Sequence, residues 1–404
     1  MSAVLEPPPA LELAPAPVLR ERVPLPAPPA PREPAPAPAP RRDVALDLLR
    51  GLAMVILVVN HIHLETSLEY ATRALLSAAE VLVAVSGVVA GMVFGRRWLM
   101  HGARATALML LRRARTLYVA SAAVVALVYV LSFVPGLATE VLSVSPRRPD
   151  VDLYAFDGPL RTLLAIVTLE AGPWQFNILG FFIAAIAATP AVLWALARGW
   201  WPAVLAASWG LYVAGRTWDL EVLPSQSERP FPLLVWQVLF VNGMVLGFHR
   251  RALEGFARRH ARKLVAGVVV LGAAAAYLRL HGPGLDALLG VRDWDAWEKS
   301  FFHKASLDPA RLTALVALTA AAYVALRAGG RHAERALGWL LLPLGRNSFY
   351  VFIVHVFVCL AVASVPFLAG DGLGNAANIA VQIGCLLAIW AMVKRRVLFR
   401  WIPR

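Results

Sequence analysis

Long apolar runs recur along this chain of 404 residues, and they constrain its fold more than any other feature. A run of about 17–25 apolar residues can cross a hydrocarbon core of roughly 30 Å as a helix. The runs are continuously apolar rather than alternating, which favours helices over the strands of a membrane barrel. With 59% hydrophobic residues, the chain is also too apolar for an ordinary soluble domain. The sequence therefore predicts an all-α, polytopic integral membrane protein.

Ten candidate spans can be counted, and basic residues fall mainly in alternate connecting loops. The spans are 44–63, 74–95, 106–134, 175–197, 200–218, 232–248, 263–280, 310–327, 346–367 and 375–394. Because basic loops stay on the cytoplasmic side, an even number of spans predicts that both termini are cytoplasmic. The same distribution accounts for the net charge of +14, so we expect a lipid bilayer and no nucleic acid as partner.

Composition divides the chain into three parts. Residues 1–42 are rich in Pro and Ala, which predicts a disordered cytoplasmic tail. Residues 43–396 form the predicted transmembrane domain, and 397–404 a short cytoplasmic tail. Cys359 and Cys385 lie in apolar runs, where cysteine behaves as a small hydrophobe, and no metal site is expected.

The first span carries Arg50 and His61 on one predicted helix face. They are eleven residues apart, and eleven steps of about 100° bring a helix back to nearly the same direction. Asp47 lies one turn before Arg50 on the same stripe. Charged groups inside a membrane are costly, so a function is the default interpretation, and an imidazole can act as a general base. The alternative is a structural pair of Arg50 with Asp47 and an interfacial His61.

The second span contains Glu80 and, shortly after it, Gly87 and Gly91. Glycines four residues apart allow two helices to approach closely. A carboxylate near His61 would orient the imidazole and stabilise its protonated form, which is the role we predict for Glu80. The alternative is an ion pair between Glu80 and an arginine on the external side.

Other polar residues near the ends of spans are candidates for substrate binding. In the ninth span Ser348 and His355 are seven residues apart and share a face, while Asn347 lies at its inner end. Lys304 and Arg311 precede or open the eighth span and suit a carboxylate or a developing oxyanion. The alternatives are that His355 only packs against a neighbouring helix and that the two cations are solvated loop charges.

Two longer loops, 135–174 and 281–309, are predicted on the external side. They combine aromatic residues with carboxylates, a mixture that suits a polyhydroxyl ligand and is also typical of an interfacial aromatic belt. We predict that Trp174, and Asn177 just after it, contact such a ligand.

Six segments together resemble the OpgC-like membrane proteins, which are associated with succinylation of osmoregulated periplasmic glucans. They are RRDVALDLLRGLAMVILVVNHIH, AAEVLVAVSGVVAGMVFGRRW, PWQFNILGFF, WQVLFVNGMVLG, KASLDPARL and LGRNSFYVFIVH. They occur in family order and extend over about residues 41 to 396. The wider superfamily, the type-three membrane acyltransferases, shares an Arg–ten residues–His motif that Arg50 and His61 match.

The resemblance implies ten spans, a cytoplasmic acyl-CoA donor and an acceptor sugar outside. It also implies that His61 is the catalytic base and that Arg50 is its essential partner. One departure stands before the histidine, where the family often has an acid and this chain has Asn60. If that acid matters, either Glu80 serves in its place or this protein has diverged in substrate.

The combined interpretation is an O-acyltransferase of the bacterial inner membrane. It would move an acyl group, expected to be succinyl, from succinyl-CoA or acetyl-CoA to a periplasmic glucan or other surface sugar. We predict that basic residues of one cytoplasmic loop, Arg112, Arg113 and Arg115, hold the nucleotide of acyl-CoA. Transfer through an acyl-histidine stays open. Alternatives are a transporter or flippase of a polar lipid or sugar, and a non-catalytic membrane partner of a glucan-synthesis complex.

Overall fold

The computed structural model describes residues 43–62, 64–75, 77–145, 148–152, 156–223, 225–281, 303–369 and 373–402. The predicted tail, 1–42, and most of the second long loop, 282–302, lie outside these residues.

Helices make up most of the described chain, as predicted. They are α1 Val44–His61, α2 Ser67–Leu75, α3 Ala78–His101, α4 Ala103–Leu131, α5 Glu140–Ser143, α6 Gly158–Val167, α7 Ile178–Ala197, α8 Trp201–Trp218, α9 Leu233–Phe248, α10 Arg250–Arg259, α11 Ala261–His281, α12 Pro309–Arg346, α13 Ser348–Ala363, α14 Pro366–Ala369 and α15 Asn375–Lys394. A 3-10 turn, Trp174–Phe176, precedes α7. Two short antiparallel strands, β1 Val144–Ser145 and β2 Arg148–Asp152, add a hairpin that the sequence did not predict.

Each predicted span coincides with a helix, but fewer helices have the length and composition of a membrane span. Among the described residues six qualify, namely α1, α3, α4, α7 with its 3-10 turn, α12 and α15. The pair α9 and α10 is bent by 76° and makes a seventh if it is one broken span. Helix α13 has 16 residues and is too short to qualify. Ten spans and cytoplasmic termini therefore stay predictions.

Helix α12 consists of two helical parts. The first part covers the predicted span over 310–327, and the second part, which ends at Arg346, stands where the sequence predicts a basic loop. The two parts join at Gly330, whose φ of 45° lies in the left-handed region that glycine adopts without a steric penalty. The second part packs on α1 at glycine contacts. A Cβ on Gly345 would lie 2.1 Å from the carbonyl oxygen of Asp47.

The predicted close approach at Gly87 and Gly91 is confirmed. A Cβ on either glycine of α3 would lie 2.1 Å from a backbone oxygen of α9. Gly243 and Gly247 of α9 face the backbone of α3 in the same way. Small residues on both helices therefore let the two backbones touch, and the order of the contacts makes the helices parallel.

Helix α1 begins at a buried carboxylate. The side chain of Asp43 accepts hydrogen bonds from the backbone N–H groups of Ala45 and Leu46 and so caps the helix. It also contacts Arg250 at 2.9 Å and the hydroxyl of Tyr323 at 3.0 Å, which joins α1 to α10 and α12. We call this end of the bundle the Asp43 end and the opposite end, where α1 stops, the His61 end.

Candidate active site

Arg50 and His61 both contact α13. Nη2 of Arg50 donates to Oγ of Ser348 at 2.6 Å, and Nδ1 of His61 lies 2.9 Å from Nε2 of His355. Because one helix meets both residues, the prediction that they share a face of α1 is confirmed. Along the axis they are separated by roughly 16 Å, at about 1.5 Å of rise per residue.

Two rings surround the imidazole of His61. The ring centre of His355 and that of Trp174 each lie 5.0 Å away, with the indole edge-on. The indole N–H of Trp174 donates to the carbonyl oxygen of Val141 at 3.0 Å, which fixes the ring. His355 is fully buried, and its Nδ1 lies 2.6 Å from the carbonyl oxygen of Phe352. The structure thus joins three predicted site residues in one cluster.

Side chains from two other helices hold the end of α1, where backbone carbonyls have no donor within the helix. The amide of Gln382 on α15 donates to the carbonyl oxygens of Val59 and Ile62, each at 3.3 Å. The thiol of Cys359 on α13 donates to the carbonyl oxygen of His61 at 3.2 Å. The sequence predicts Cys359 as a small hydrophobe and assigns Gln382 no role, although an amide within an apolar span is itself a signal. In the structure this amide is fully buried.

Glu80 does not have the role predicted for it. Its carboxylate is fully buried and bonds the guanidinium of Arg311, including a bond from Nη2 to Oε2 at 3.1 Å. It also accepts from the backbone N–H of Ser77 at 2.9 Å. The prediction that Glu80 orients His61 is therefore wrong, and the alternative of an arginine pair is right. Helices α3 and α12 start side by side, which places Arg311 beside Glu80. The neighbour of Nδ1 of His61 is His355 instead.

Asp47 and Asn347, predicted to bind substrate, contact protein groups at the junction of α1, α12 and α13. Oδ2 of Asp47 lies 3.1 Å from Nε of Arg346. The amide of Asn347 donates to the carbonyl oxygen of Pro343 at 2.8 Å and closes the end of α12. The first contact joins α1 to α12 and the second stays within the end of α12, so substrate binding by Asp47 and Asn347 stays a prediction.

The segment 303–308, before α12, is anchored at the His61 end. The ammonium of Lys304 lies 4.9 Å from the ring centre of Phe231. The carbonyl oxygen of Ala305 accepts from the indole of Trp236 at 3.0 Å, and Asp308 pairs with Arg216 at 2.9 Å. Lys304 is thus half-buried against a ring, and its binding of a carboxylate or an oxyanion stays a prediction.

Asn177 and Gln175 carry buried acceptors next to Trp174. Oδ1 of Asn177 and Oε1 of Gln175 have no hydrogen-bond partner within the described residues. A buried acceptor without a donor costs free energy, and a ligand hydroxyl can supply the missing proton. Gln175 is a candidate that the sequence reasoning missed.

Asn60, which replaces the acid often found before the histidine, contacts α2. Its Oδ1 accepts from the hydroxyl of Thr72 at 2.8 Å. The same short helix carries Glu69, whose side chain is buried. The ten predicted spans include neither α2 nor this carboxylate beside the end of α1.

The basic residues predicted to hold the nucleotide lie on the first half of α4. Arg112, Arg113 and Arg115 are exposed, toward the end of the helix that is nearer the Asp43 end.

Comparison with protein families identifies the family of the chain. A family model described as OpgC protein matches residues 42–401. The chain belongs to the OpgC family. This membership confirms the resemblance and indicates a membrane protein with an acyltransferase-like function. The comparison with curated proteins and that with solved structures each found no match.

Proposed function

We propose that this OpgC-family protein is an inner-membrane O-acyltransferase. It moves an acyl group, succinyl in the first instance, from cytoplasmic acyl-CoA to hydroxyls of a periplasmic glucan or other surface sugar. The observation that carries the proposal is the pair of contacts between α1 and α13. They hold the cation Arg50 and the base His61 on one face of α1, at two different positions along the helix axis.

Charge supports the direction of transfer. Several arginines lie at the Asp43 end, including Arg250, Arg327 and Arg346, which contact Asp43 or Asp47. By the positive-inside rule this end faces the cytoplasm, and the His61 end faces the acceptor. The nucleotide of acyl-CoA then lies near Arg112, Arg113 and Arg115, and its pantetheine arm runs past Arg50.

His61 supplies the base for the chemical step. Its ring takes the proton from a sugar hydroxyl, and the resulting alkoxide oxygen bonds to the thioester carbonyl carbon. When the tetrahedral intermediate collapses, the C–S bond breaks, the ester forms and the CoA thiolate takes the proton back from the imidazolium. Arg50 is too far along α1 to reach an oxyanion beside His61, since a stabilising donor must approach within about 3 Å. Lys304, at the His61 end, is the better candidate for the oxyanion or the carboxylate of a succinyl group.

The groups beside His61 suit a sugar acceptor. The indole of Trp174 offers an apolar edge next to the imidazole. The buried oxygens of Gln175 and Asn177 accept hydrogen bonds, and sugar hydroxyls donate them. Gln175 lies on the 3-10 turn that begins at Trp174 and Asn177 follows that turn, so a sugar that contacts Trp174 would bring its hydroxyls toward these oxygens.

The test is transfer of labelled acyl groups by membranes that contain wild type, His61→Ala or the control His101→Ala. His101 is an exposed histidine at the end of α3 and has no place in the mechanism. We expect wild type and His101→Ala to label periplasmic glucan from succinyl-CoA in preference to acetyl-CoA, and His61→Ala to lose labelling. Unchanged labelling in His61→Ala would contradict the mechanism and favour a transporter or an accessory subunit.

A further inference from the structure

We propose that His355 is a positioning residue that fixes the tautomer of His61, so that Nε2 of His61 carries the lone pair of the base. The inference rests on the proposed function for its kinetic consequence, but the tautomer itself is a property of the free protein. His355 acts through His61 and does not touch the reacting atoms.

The carbonyl oxygen of Phe352 can only accept a hydrogen bond. Nδ1 of His355 lies 2.6 Å from this oxygen and must therefore carry a hydrogen. Phe352 is three residues earlier on α13, so the helix that carries His355 also sets the direction of its ring. A backbone carbonyl thus orients a histidine here, as a carboxylate does in catalytic triads.

The surroundings of His355 favour its neutral form. Its side chain is fully buried, and a cation in such a place needs a compensating anion or strong hydrogen-bond acceptors. The described groups at its two ring nitrogens are a neutral carbonyl and another imidazole. A neutral His355 with hydrogen on Nδ1 presents a lone pair at Nε2.

The lone pair on Nε2 of His355 in turn decides which ring nitrogen of His61 carries the hydrogen. Nε2 of His355 lies 2.9 Å from Nδ1 of His61, so Nδ1 of His61 must donate. A neutral imidazole has one N–H, and the lone pair of His61 is therefore on Nε2. When Nε2 takes the substrate proton, Nδ1 keeps its hydrogen bond to His355, and the charged donor strengthens that bond.

Helix α13 makes this arrangement rigid. The thiol of Cys359, four residues after His355, bonds the carbonyl oxygen of His61 itself. One helix therefore fixes both the backbone and the ring of the base, and a rotated imidazole would lose the contact with His355. The result is a chain of two hydrogen bonds with fixed directions. His61 donates to His355, and His355 donates to the carbonyl oxygen of Phe352.

The first test measures the tautomer without any assay of activity. The protein has nine histidines, and all are labelled with ¹⁵N. NMR spectra of wild type, His61→Gln and His355→Gln are compared, and the signals that each variant lacks assign the rings of His61 and His355. We expect Nδ1 of His61 to show the shift of a protonated nitrogen and Nε2 that of an unprotonated one. The opposite assignment, or a mixture of both tautomers, would overturn the proposal even if acyl transfer were established.

The second test uses two replacements of similar size at His355. The side-chain oxygen of His355→Gln can accept from Nδ1 of His61, whereas His355→Leu offers no acceptor. We expect His355→Leu to lower kcat by about 10²-fold, as for loss of a correctly oriented general base, and His355→Gln to retain most activity. The KM values for both substrates should change little, because neither substrate contacts His355.

Equal loss of kcat in the two variants, or a loss confined to KM, would contradict a role in setting the tautomer. Thermal unfolding in detergent checks that the variants fold. If His355→Leu does not fold, the NMR measurement of the His61 tautomer decides the proposal. An inactive wild type would defeat the proposed function while leaving the tautomer measurable.

Discussion

Nδ1 of His61 and Nε2 of His355 lie 2.9 Å apart although 294 residues separate them in the chain. The same pair of helices, α1 and α13, brings Ser348 to Arg50 at 2.6 Å. A ligand that follows the face of α1 from Arg50 to His61 therefore lies beside α13. The sequence places candidate residues on the first and on the ninth predicted span, and the structure shows that these two helices bring them into contact.

Arg50 and Ser348 are expected to affect the acyl-CoA donor. Arg50→Ala removes the cation from the donor path, and we expect kcat/KM for acyl-CoA to fall by about 10²-fold or more. Ser348→Ala removes one hydrogen bond to a charged group, which is worth about 1.5–3 kcal/mol, so a loss of roughly 10- to 150-fold is expected. Steady-state kinetics with varied acyl-CoA measures both. Variants that change only the KM of the glucan would contradict this placement of Arg50.

The buried pair of Glu80 and Arg311 is expected to stabilise the fold. Removing one partner of such a pair leaves a charge without compensation and costs about 3–5 kcal/mol. We expect Glu80→Leu and Arg311→Leu each to unfold at a lower temperature in detergent, and the double variant to recover much of the loss. If the two losses simply added in the double variant, the pair would not be coupled.

The glycine contact between α1 and α12 predicts a steric effect. A Cβ at Gly345 would lie 2.1 Å from the carbonyl oxygen of Asp47, so Gly345→Ala should force the helices apart at a cost of about 1–3 kcal/mol or more. Gly384 on α15 is the control, because nothing lies within 4 Å of its added Cβ. There alanine should be neutral or stabilise the helix by about 0.5–1 kcal/mol. Equal unfolding temperatures for the two variants would argue against the close approach.

Glu228, between α8 and α9, gives a prediction for pH. Burial raises the pKa of its carboxyl above the ordinary value, while backbone N–H groups of Val222 and Leu233 bond Oε1 and oppose the shift. A raised pKa means that the folded state binds the proton more tightly than the unfolded state. Its stabilising contribution is therefore full below the unfolded pKa and is lost as pH rises through the folded pKa.

Glu228→Gln tests this sign. The amide oxygen can still accept from both N–H groups, but the side chain no longer titrates. We expect the variant to match wild type at acidic pH and to be more stable at neutral pH, as measured by unfolding temperature across a pH series. A variant that is less stable at neutral pH would show that the ionised carboxylate stabilises the fold.

The local part of the site could be predicted from the sequence because helical periodicity is a local property. The spacing of Arg50 and His61 sets their common face, and Gly87 and Gly91 indicate a close helix contact wherever the partner lies. The partner itself depends on the tertiary fold. Nothing local distinguishes His355 from Glu80 as the neighbour of His61, and Arg311 is 231 residues from the carboxylate that it binds.

The predicted basic loop after the eighth span was wrong in its conformation. Basic residues such as Arg331 and Arg335 predicted a loop, but charged residues also suit the exposed side of a helix, and these two lie in the second helical part of α12, after the kink at Gly330. Polar side chains in apolar spans were the other missed signal. The sequence does not predict the role of Gln382, because its partners are backbone carbonyl oxygens of α1 and no side-chain pattern marks such partners.

The most direct test of the central claim is transfer across a sealed membrane. Inside-out vesicles that carry the protein enclose periplasmic glucan and receive labelled succinyl-CoA on their outer, cytoplasmic face. The account predicts that wild type esterifies the enclosed glucan while intact succinyl-CoA stays outside, and that His61→Ala does not. Labelled glucan formed equally by His61→Ala, or label entering the vesicles without an ester bond to glucan, would contradict acyl transfer by His61.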